Sequence, residues 1–370
     1  MQALILNNTI LMSAPVSELN ELRKKIDEID RKILDLLNRR TEVVLEVGKT
    51  KQSKHLKIHS PERERSILKR LKELNTGPFP DETLKLIYEE IISASLALQQ
   101  PLKVAYLGPS ATFTHLAASR HFGSSMEYLP ESTIKEVFEA VARGRAQYGV
   151  VPVENSNEGV INYTLDMFID SDLHIADEIM LPISHNLMSK TGKKSDIKKI
   201  YSHPQARAQC RGWLETNFPG IVVTEELSTA AAAKRVSRDD TAAAVASEMA
   251  ASEYNLKFIE KGIEDNKSNV TRFLVIAKDS PGKTGNDKTS IMLSIKDKAG
   301  ALYLILRPFA RHKINLTKIE SRPSRRRAWE YLFFVDMEGH TEDKKIRKAI
   351  SDVKKECLFL KVLGSYPSAE

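Results

Sequence analysis

From Arg23 to Lys51 the chain returns to one helical face at unbroken steps of three and four: Arg23, Ile26, Asp30, Ile33, Leu37, Arg40, Val44, Val47 and Lys51. No strand tolerates that spacing, so the stretch is a single amphipathic helix. A helix from Ser17 to Gln52 is roughly 50 Å long, too long to bury its stripe against the rest of its own segment, and a partner chain is implied. A second helix opens at Ser60-Pro61, an N-cap hydroxyl followed by proline at the first helical position, and carries Ile67, Leu68, Leu71 and Leu74. A third, from about Asp81 to Gln100, aligns Leu84, Tyr88, Ile91, Ser95 and Gln99.

A chain of 370 residues outgrows a single core, and two composition breaks divide it. The first is Gln99-Gln100-Pro101; the second is the Gly/Pro run Ser280-Pro-Gly-Lys-Thr-Gly-Asn286. A multi-domain reading follows, with residues 1–16 a disordered leader, 17–100 all-α, 101–280 α/β, 281–288 a linker and 289–370 α+β. In the middle segment, strands are expected at Val104–Leu107, Gly149–Val153, Ile200–Ser202, Ile221–Thr224 and Phe273–Ala277. Helices are expected between them, notably the alanine-rich runs Thr229–Val236 and Thr241–Ser252. The last segment reads strand, helix, strand, strand, helix, strand: Ser290–Ile295, Ala301–His312, Leu316–Glu320, Tyr331–Met337, Asp343–Lys355 and Leu358–Leu363. A βαββαβ unit of this kind is ferredoxin-like and suits a small regulatory domain.

The net charge of +7 is concentrated at the end of the chain, where residues 287–370 hold 18 basic against 11 acidic side chains. Its one tight cluster, Arg325, Arg326 and Arg327, reads as a solvated hairpin tip rather than a nucleic-acid surface, and small anionic ligands fit the balance better. No apolar run approaches the ~18 to 20 residues of a membrane span. Residues 1–16 lack the basic start and small-residue cleavage site of a secretory signal, and Met12 is an alternative start. Cys210 and Cys357 have no paired Cys or His spacing, which argues against a disulfide framework and a zinc site. A cytoplasmic protein with neither metal nor cofactor is expected.

On the first stripe, Arg23, Arg40 and Lys51 stand where leucine would pack, and buried cations need an anion. Periodicity alone leaves two readings open: the side chains snorkel out or meet Asp30 and Glu64, or they grip an external acid. Arg63 and Glu64 just after Ser60, with Ser95 and Gln99, add hydrogen-bonding groups and favour the second. The run Leu22-Arg23, Asp30, Leu36 to Arg40, Glu46 to Lys51, Arg63-Glu64-Arg65 and Ser95 to Gln99 resembles the all-helical chorismate mutases over nearly the whole segment. The resemblance implies an intertwined homodimer or higher homo-oligomer. It further implies that Arg23, reaching across from the other protomer, and Arg40 bind the carboxylates of chorismate. Lys51 and Gln99 would flank the ether oxygen, Ser60 and Glu64 hold the ring hydroxyl, and Arg63 and Ser95 complete the pocket; many relatives have aspartate at the position of Ser60. A Claisen rearrangement needs no acid, base or nucleophile, only the reactive conformer and charge stabilisation at the ether oxygen.

The middle segment sets polar clusters directly after apolar strands, where α/β proteins place ligands: Gly108 to Thr114, Pro152 to Ser156, Ser202 to Ala206 and Asn269 to Phe273. Each alone reads as a cap or turn. Together with Gly159 and Gln209-Cys210 they resemble the prephenate dehydratase domain from Lys103 to about Lys278, with Ala111 where relatives usually have glycine. The resemblance implies two α/β lobes like those of periplasmic binding proteins, with prephenate in the cleft between them. It gives Thr271 the central role, with Thr112, Glu154, Asn155, Ser156, Ser202 and Gln209 lining the cleft. Loss of CO2 and water is driven by aromatisation, so the enzyme need only assist the departing hydroxide; a Thr271 hydroxyl can do so while Arg272 or amides hold the pyruvyl carboxylate.

The last segment has no acid/base pair or nucleophile. Gly300-Ala301-Leu302 and Asn315 to Pro323 resemble the ACT domains that sense phenylalanine. The implied site takes the amino acid's carboxylate at the helix N-terminus of Gly300 to Leu302 and its ammonium at Glu320, with Ser321, Arg322 and Pro323 around it. The expected function is therefore the two-step conversion of chorismate to phenylpyruvate under L-phenylalanine control. An arogenate dehydratase and a non-catalytic small-molecule receptor are the alternatives.

Overall fold

The computed structural model describes residues 13–54, 59–295, 298–323 and 331–369. Arg325 to Arg327 and residues 1–12 of the expected leader lie outside these. Three helices open the chain: α1 (Ser13–Ser53), α2 (Pro61–Leu74) and α3 (Asp81–Gln99). The first begins four residues before the expected Ser17 and takes in the end of the leader. The chain forms two compact units, Met1–His59 with Ser95–Gln100, and Ser60–Ala94 with Pro101–Glu370.

In the first unit α1 has 41 residues, a rod of about 60 Å. Its apolar face is uncovered, with Leu22, Ile26, Ile29 and Ile33 each at least half exposed. Towards its end it meets the last turn of α3, where Gly48 is buried. A Cβ there would lie 2.8 Å from Cγ of Gln99, so glycine is what lets the two helices touch.

In the second unit Ser60 occupies the cap position of α2, as its sequence predicts, with extended backbone. Its hydroxyl does not cap the helix, however; it donates to Oε1 of Glu62 at 2.6 Å, the stronger acceptor. Arg65 ties the same helix down, with Nη2 bonded to Asp177 at 3.0 Å and Nη1 to the carbonyl of Ser368.

The chain then builds β1 (Lys103–Leu107), α4 (Phe113–Phe122), β2 (Glu127–Glu131), α5 (Ile134–Ala142), β3 (Tyr148–Asn155), β4 (Gly159–Val160), α6 (Asn162–Asp170) and β5 (His174–Pro182). It crosses to a second lobe of β6 (Asn186–Ser189), β7 (Lys199–Ser202), α7 (Pro204–Gln209), α8 (Arg211–Asn217), β8 (Val222–Glu225), α9 (Thr229–Val236), β9 (Ala242–Ala246), α10 (Glu248–Glu253) and β10 (Lys257–Glu260). It returns to the first lobe as β11 (Val270–Ala277). The first sheet has the order β2-β1-β3-β11-β5 with β4 on β3, and the second β10-β6-β9-β7-β8. Two crossings between lobes are what a two-lobed binding fold requires.

One expectation fails. Thr241–Ser252 is not one helix: only its end is helical, in α10, while Ala242 to Ala246 form β9, in the middle of the second sheet, every residue 0% exposed. Alanine favours helix when solvated, but a position buried on both faces under α9 rewards small side chains in a strand, and tertiary packing overrides propensity.

The remainder is β12 (Asp287–Ile295), α11 (Ala301–Arg311), β13 (Leu316–Pro323), β14 (Tyr331–Glu338), α12 (Lys344–Glu356) and β15 (Cys357–Pro367), the expected βαββαβ unit. Its antiparallel sheet has the order β13-β14-β12-β15. One face packs on its own helices through Ile291, Leu293, Val335 and Met337. The other face shares a core with the first lobe, where Met292, Phe334, Leu363 and Tyr366 join Phe168, Ile175, Leu274 and Ile276. A Cβ at Gly364 would overlap the carbonyl oxygen of Ile175, so β15 presses backbone to backbone on β5.

Candidate functional site

A cavity of about 230 Å³ opens between the two lobes. Helix starts converge on it, because the loops that follow β1, β7 and β8 lead straight into α4, α7 and α9. Thr112 caps α4 by accepting the N–H of His115 at 3.3 Å, and Ser228 caps α9 by accepting that of Ala231 at 3.0 Å. Thr112, Phe113, Thr114, Asn155, Asn269 and Thr271 line it from the first lobe and its crossings, and His185, His203, Gln205, Gln209, Ser228 and Thr229 from the second. Among the described residues its lining holds no Lys, Arg, Asp or Glu. A larger groove of about 710 Å³ along α7, α8 and β8 carries Arg207 and Arg211, but these already meet Glu225 and Glu215 and no cluster of hydroxyls or amides accompanies them.

At the centre of the cleft the hydrogen bonds have one consistent direction. Oδ1 of Asn155 accepts the backbone N–H groups of Asn157 and Glu158 at 3.0 and 3.2 Å, so its Nδ2 must donate. It does so to Oγ1 of Thr271 and to Oδ1 of Asn269, both at 2.8 Å. Asn269 passes its own Nδ2–H to Oε1 of Gln209 at 3.0 Å, and Gln209 donates to Glu158 at 3.1 Å. The His185 Nε2, 2.7 Å from the same Gln209 oxygen, therefore carries the hydrogen, and Nδ1 is a buried acceptor with no hydrogen-bond partner among the described residues. Burial holds the pKa of His185 below the ordinary imidazole value, so the ring is neutral. Thr271, already accepting from Asn155, keeps its O–H free to donate.

Of the expected cleft residues, Thr112, Asn155, Gln209 and Thr271 line the cavity. Ser202, fully buried, donates to the carbonyl of His203 instead. Ser156 bonds along the strand edge to Ser268 and Val270. Glu154 and Arg272 face the back of the sheet, because successive side chains alternate along a strand and Asn155 and Thr271 take the cleft side. Arg272 is held by Glu178 at 2.8 Å, Asp336 at 2.6 Å and the hydroxyl of Tyr366 at 3.0 Å. Burial disfavours its charge, but Tyr366, Asp336 and Glu178 outweigh that and hold its pKa above the usual guanidinium value. The expected grip of Arg272 on a substrate carboxylate is thus corrected: its fork is occupied by the protein's own acids. Glu154 bonds Lys318 at 2.6 Å.

Ala111, at the cleft's rim, has φ 66°, a backbone state that explains why glycine suits this turn. Its methyl is buried in the second lobe's core, and Ser247 donates to its carbonyl at 2.8 Å. Asn269 opens the Asn-Val-Thr-Arg-Phe cluster read from sequence, although no role was assigned to it there; His185 was not among the residues singled out, because it follows an unremarkable strand end and carries no signal. Burial pushes the Cys210 thiol up, so this cysteine is no nucleophile.

The helical residues fall in both units. In the first, Nη1 of Arg40 donates to Oγ of Ser95 at 2.6 Å, and Lys51 and Gln99 are half-buried while Arg23 is exposed. In the second, Ser60 and Glu64 are half-buried and Arg63 is exposed. In the βαββαβ part, Gly300 has φ 80° and starts α11 with Ala301 and Leu302. Glu320 and Arg322 lie on the β13 face turned to the first lobe, Ser321 and Pro323 on the other. Arg322 is bonded to Asp166 and to the carbonyl of Asn162.

Comparison with known proteins matches three family models in order along the chain: chorismate mutase type II over residues 22–100, prephenate dehydratase over 104–281 and ACT domain over 289–355. A bifunctional chorismate mutase/prephenate dehydratase of Aquifex aeolicus is 53% identical, covering 96% of this chain and 99% of its own. One of Pseudomonas aeruginosa is 44% identical, with coverage of 96% and 99%. Among solved structures, a prephenate dehydratase of Arthrobacter aurescens in complex with L-Phe has 34% identity and a TM-score of 0.67, covering 72% of this chain and 90% of that one. Helical, two-lobed and βαββαβ parts stand in the order of the three matched models, and the chain belongs to the family of bifunctional chorismate mutase/prephenate dehydratases.

Proposed function

We propose that this chain rearranges chorismate to prephenate and then converts prephenate to phenylpyruvate, with L-phenylalanine acting on its ACT domain. The observation that carries the second step is the hydrogen bond from Asn155 to Thr271. In that step the ring carboxylate leaves as CO2 and its electron pair enters the ring. The hydroxyl departs with one proton as water, and the ring becomes aromatic. Thr271 donates to the departing oxygen, and neutral donors at the starts of α4 and α9 receive the carboxylates. A cleft without side-chain cations suits a reaction that must expel a carboxylate, because a tight ion pair there would hold the group that has to leave.

For the first step, Arg40 and Arg23 of a partner protomer take the carboxylates of chorismate, Lys51 and Gln99 the ether oxygen, and Glu64, Ser60, Arg63 and Ser95 the rest of the pocket. The bond from Nη1 of Arg40 to Oγ of Ser95 supports this, since it fixes a cation on the stripe. The uncovered apolar face of α1 supports a homodimer or higher homo-oligomer. Gly300 to Leu302 with Glu320 to Pro323 form the phenylalanine site. Among the described residues no helix is long and apolar enough to cross a membrane, and we place the enzyme in the cytoplasm. A mutase on the same chain supplies prephenate, which favours it over arogenate as the second substrate.

The test supplies chorismate alone to the purified chain and to its Thr271→Val variant, and follows prephenate and phenylpyruvate with and without L-phenylalanine. The parent yields phenylpyruvate, suppressed by phenylalanine. The variant accumulates prephenate, with dehydratase kcat lower by about 10²- to 10³-fold, the usual cost of one transition-state donor. Undiminished phenylpyruvate formation by the variant would remove Thr271 from the mechanism.

A further inference from the structure

Strands β3 and β11 lie side by side, and their register sets Thr271 opposite Asn155 and Arg272 opposite Glu154. The first pair faces the cleft and the second the back of the sheet. Behind the sheet lies the ACT domain, whose strands β13 and β14 set Lys318 opposite Asp336. Lys318 bonds Glu154 at 2.6 Å and Asp336 bonds Arg272 at 2.6 Å. A cross-strand pair of one sheet thus meets a cross-strand pair of the other, one peptide away from the two side chains at the centre of the cleft.

Two further observations point the same way. The ladder between β3 and β11 shifts register between Arg272 and Phe273, next to the residue that the ACT domain holds. Strand β13, which carries Lys318, also carries Glu320 to Pro323, the segment proposed to read phenylalanine, and it reaches the first lobe again through Arg322 and Asp166.

We propose that Glu154 and Arg272 are positioning residues for the dehydratase reaction, through which the ACT domain sets the alignment of Asn155 and Thr271. This rests on the dehydratase reading of the cleft. Neither residue touches substrate; each transmits the place of an ACT strand to its neighbour in sequence. Phenylalanine acts by favouring an arrangement of β13 and β14 in which those two grips shift, and the O–H of Thr271 is then no longer aimed at the leaving oxygen.

The test uses the full chain with Lys318→Met and Asp336→Asn, both outside the cleft, and measures dehydratase kcat, KM for prephenate and the response to phenylalanine. Mutase turnover of the same preparations gauges folded enzyme. Dehydratase kcat is expected to fall at least about fivefold, the low end of ordinary coupling between sites, with KM nearly unchanged and phenylalanine inhibition weakened. The exchanged pair Glu154→Lys with Lys318→Glu is expected to recover much of the lost turnover. Parental kcat and parental inhibition in both variants would overturn the proposal. So would a loss confined to KM, which would place Glu154 against substrate, or an exchanged pair no better than Lys318→Met, which would mark the contact as structural. Parental turnover is measured alongside; its absence would sink the dehydratase reading and this proposal with it.

Discussion

His185 is 3% exposed, donates through Nε2 to Gln209 and is neutral because burial disfavours its charged form. Its folded pKa lies below the unfolded value of 6.5, so between the two the unfolded chain binds more protons than the folded one. Stability attributable to this group is therefore fully present above that window and is lost as pH falls through it, by up to about 1.4 kcal/mol per pH unit. The parent should lose more melting temperature than His185→Gln between about pH 7.5 and pH 5.5, a window that spans the imidazole range. Equal losses would mean that His185 already titrates as a solvated imidazole. Asp177 works in the opposite sense: burial raises its pKa to about 6, against the pull of Arg65, so what it contributes when protonated is lost as pH rises through that value. A comparison within one pair of variants is needed for that reason. At this scale the clusters that hold Thr271, Asn155 and Gln209 were legible through the family they resemble, since each cluster alone reads as a cap or turn. The aim of Glu154 and Arg272 was not, since a neighbour in sequence to a cleft residue is a neighbour in space but points the other way.

Elements were most legible where one face meets water. Helices α1, α11 and α12 and strand β13 show their periods because each has an exposed side. Strand β9, four alanines and a valine buried on both faces, has no period to show, and its composition suggests a helix. Contact between elements is harder still to foresee. Gly364 sits in β15 with the Ile175 carbonyl where a Cβ would go, and that obstacle is backbone, which no rotamer change relieves. Gly364→Ala should lower stability by on the order of 3 kcal/mol, the upper end for overpacking, and read out as a clear drop in melting temperature. An unchanged melting temperature would show that β15 does not press on β5 as described.

For the molecule as a whole, the apolar face of α1 is the largest unfinished business of the first unit. Leaving Leu22, Ile26, Ile29 and Ile33 in water forgoes about 25 cal/mol for each Å² that a partner would cover. Ile26→Glu with Ile33→Glu should dissociate the proposed homo-oligomer, each substitution costing at least about 1.4 kcal/mol, or tenfold in association. Sedimentation should then report monomers, with mutase turnover lost and dehydratase turnover retained; an oligomer of parental size would place the interface elsewhere. The sequence by itself determined the helical stripe with its cations, the hydroxyl and amide clusters after strands, and the order of three kinds of segment, because each is a matter of period and residue type within a few turns or strands. Only the tertiary structure decided that Arg272 serves the protein's own acids, that His185 joins the cleft, and that the alanine run is a strand. Each of those depends on which face of an element is buried and against what, a quantity fixed by residues far away along the chain.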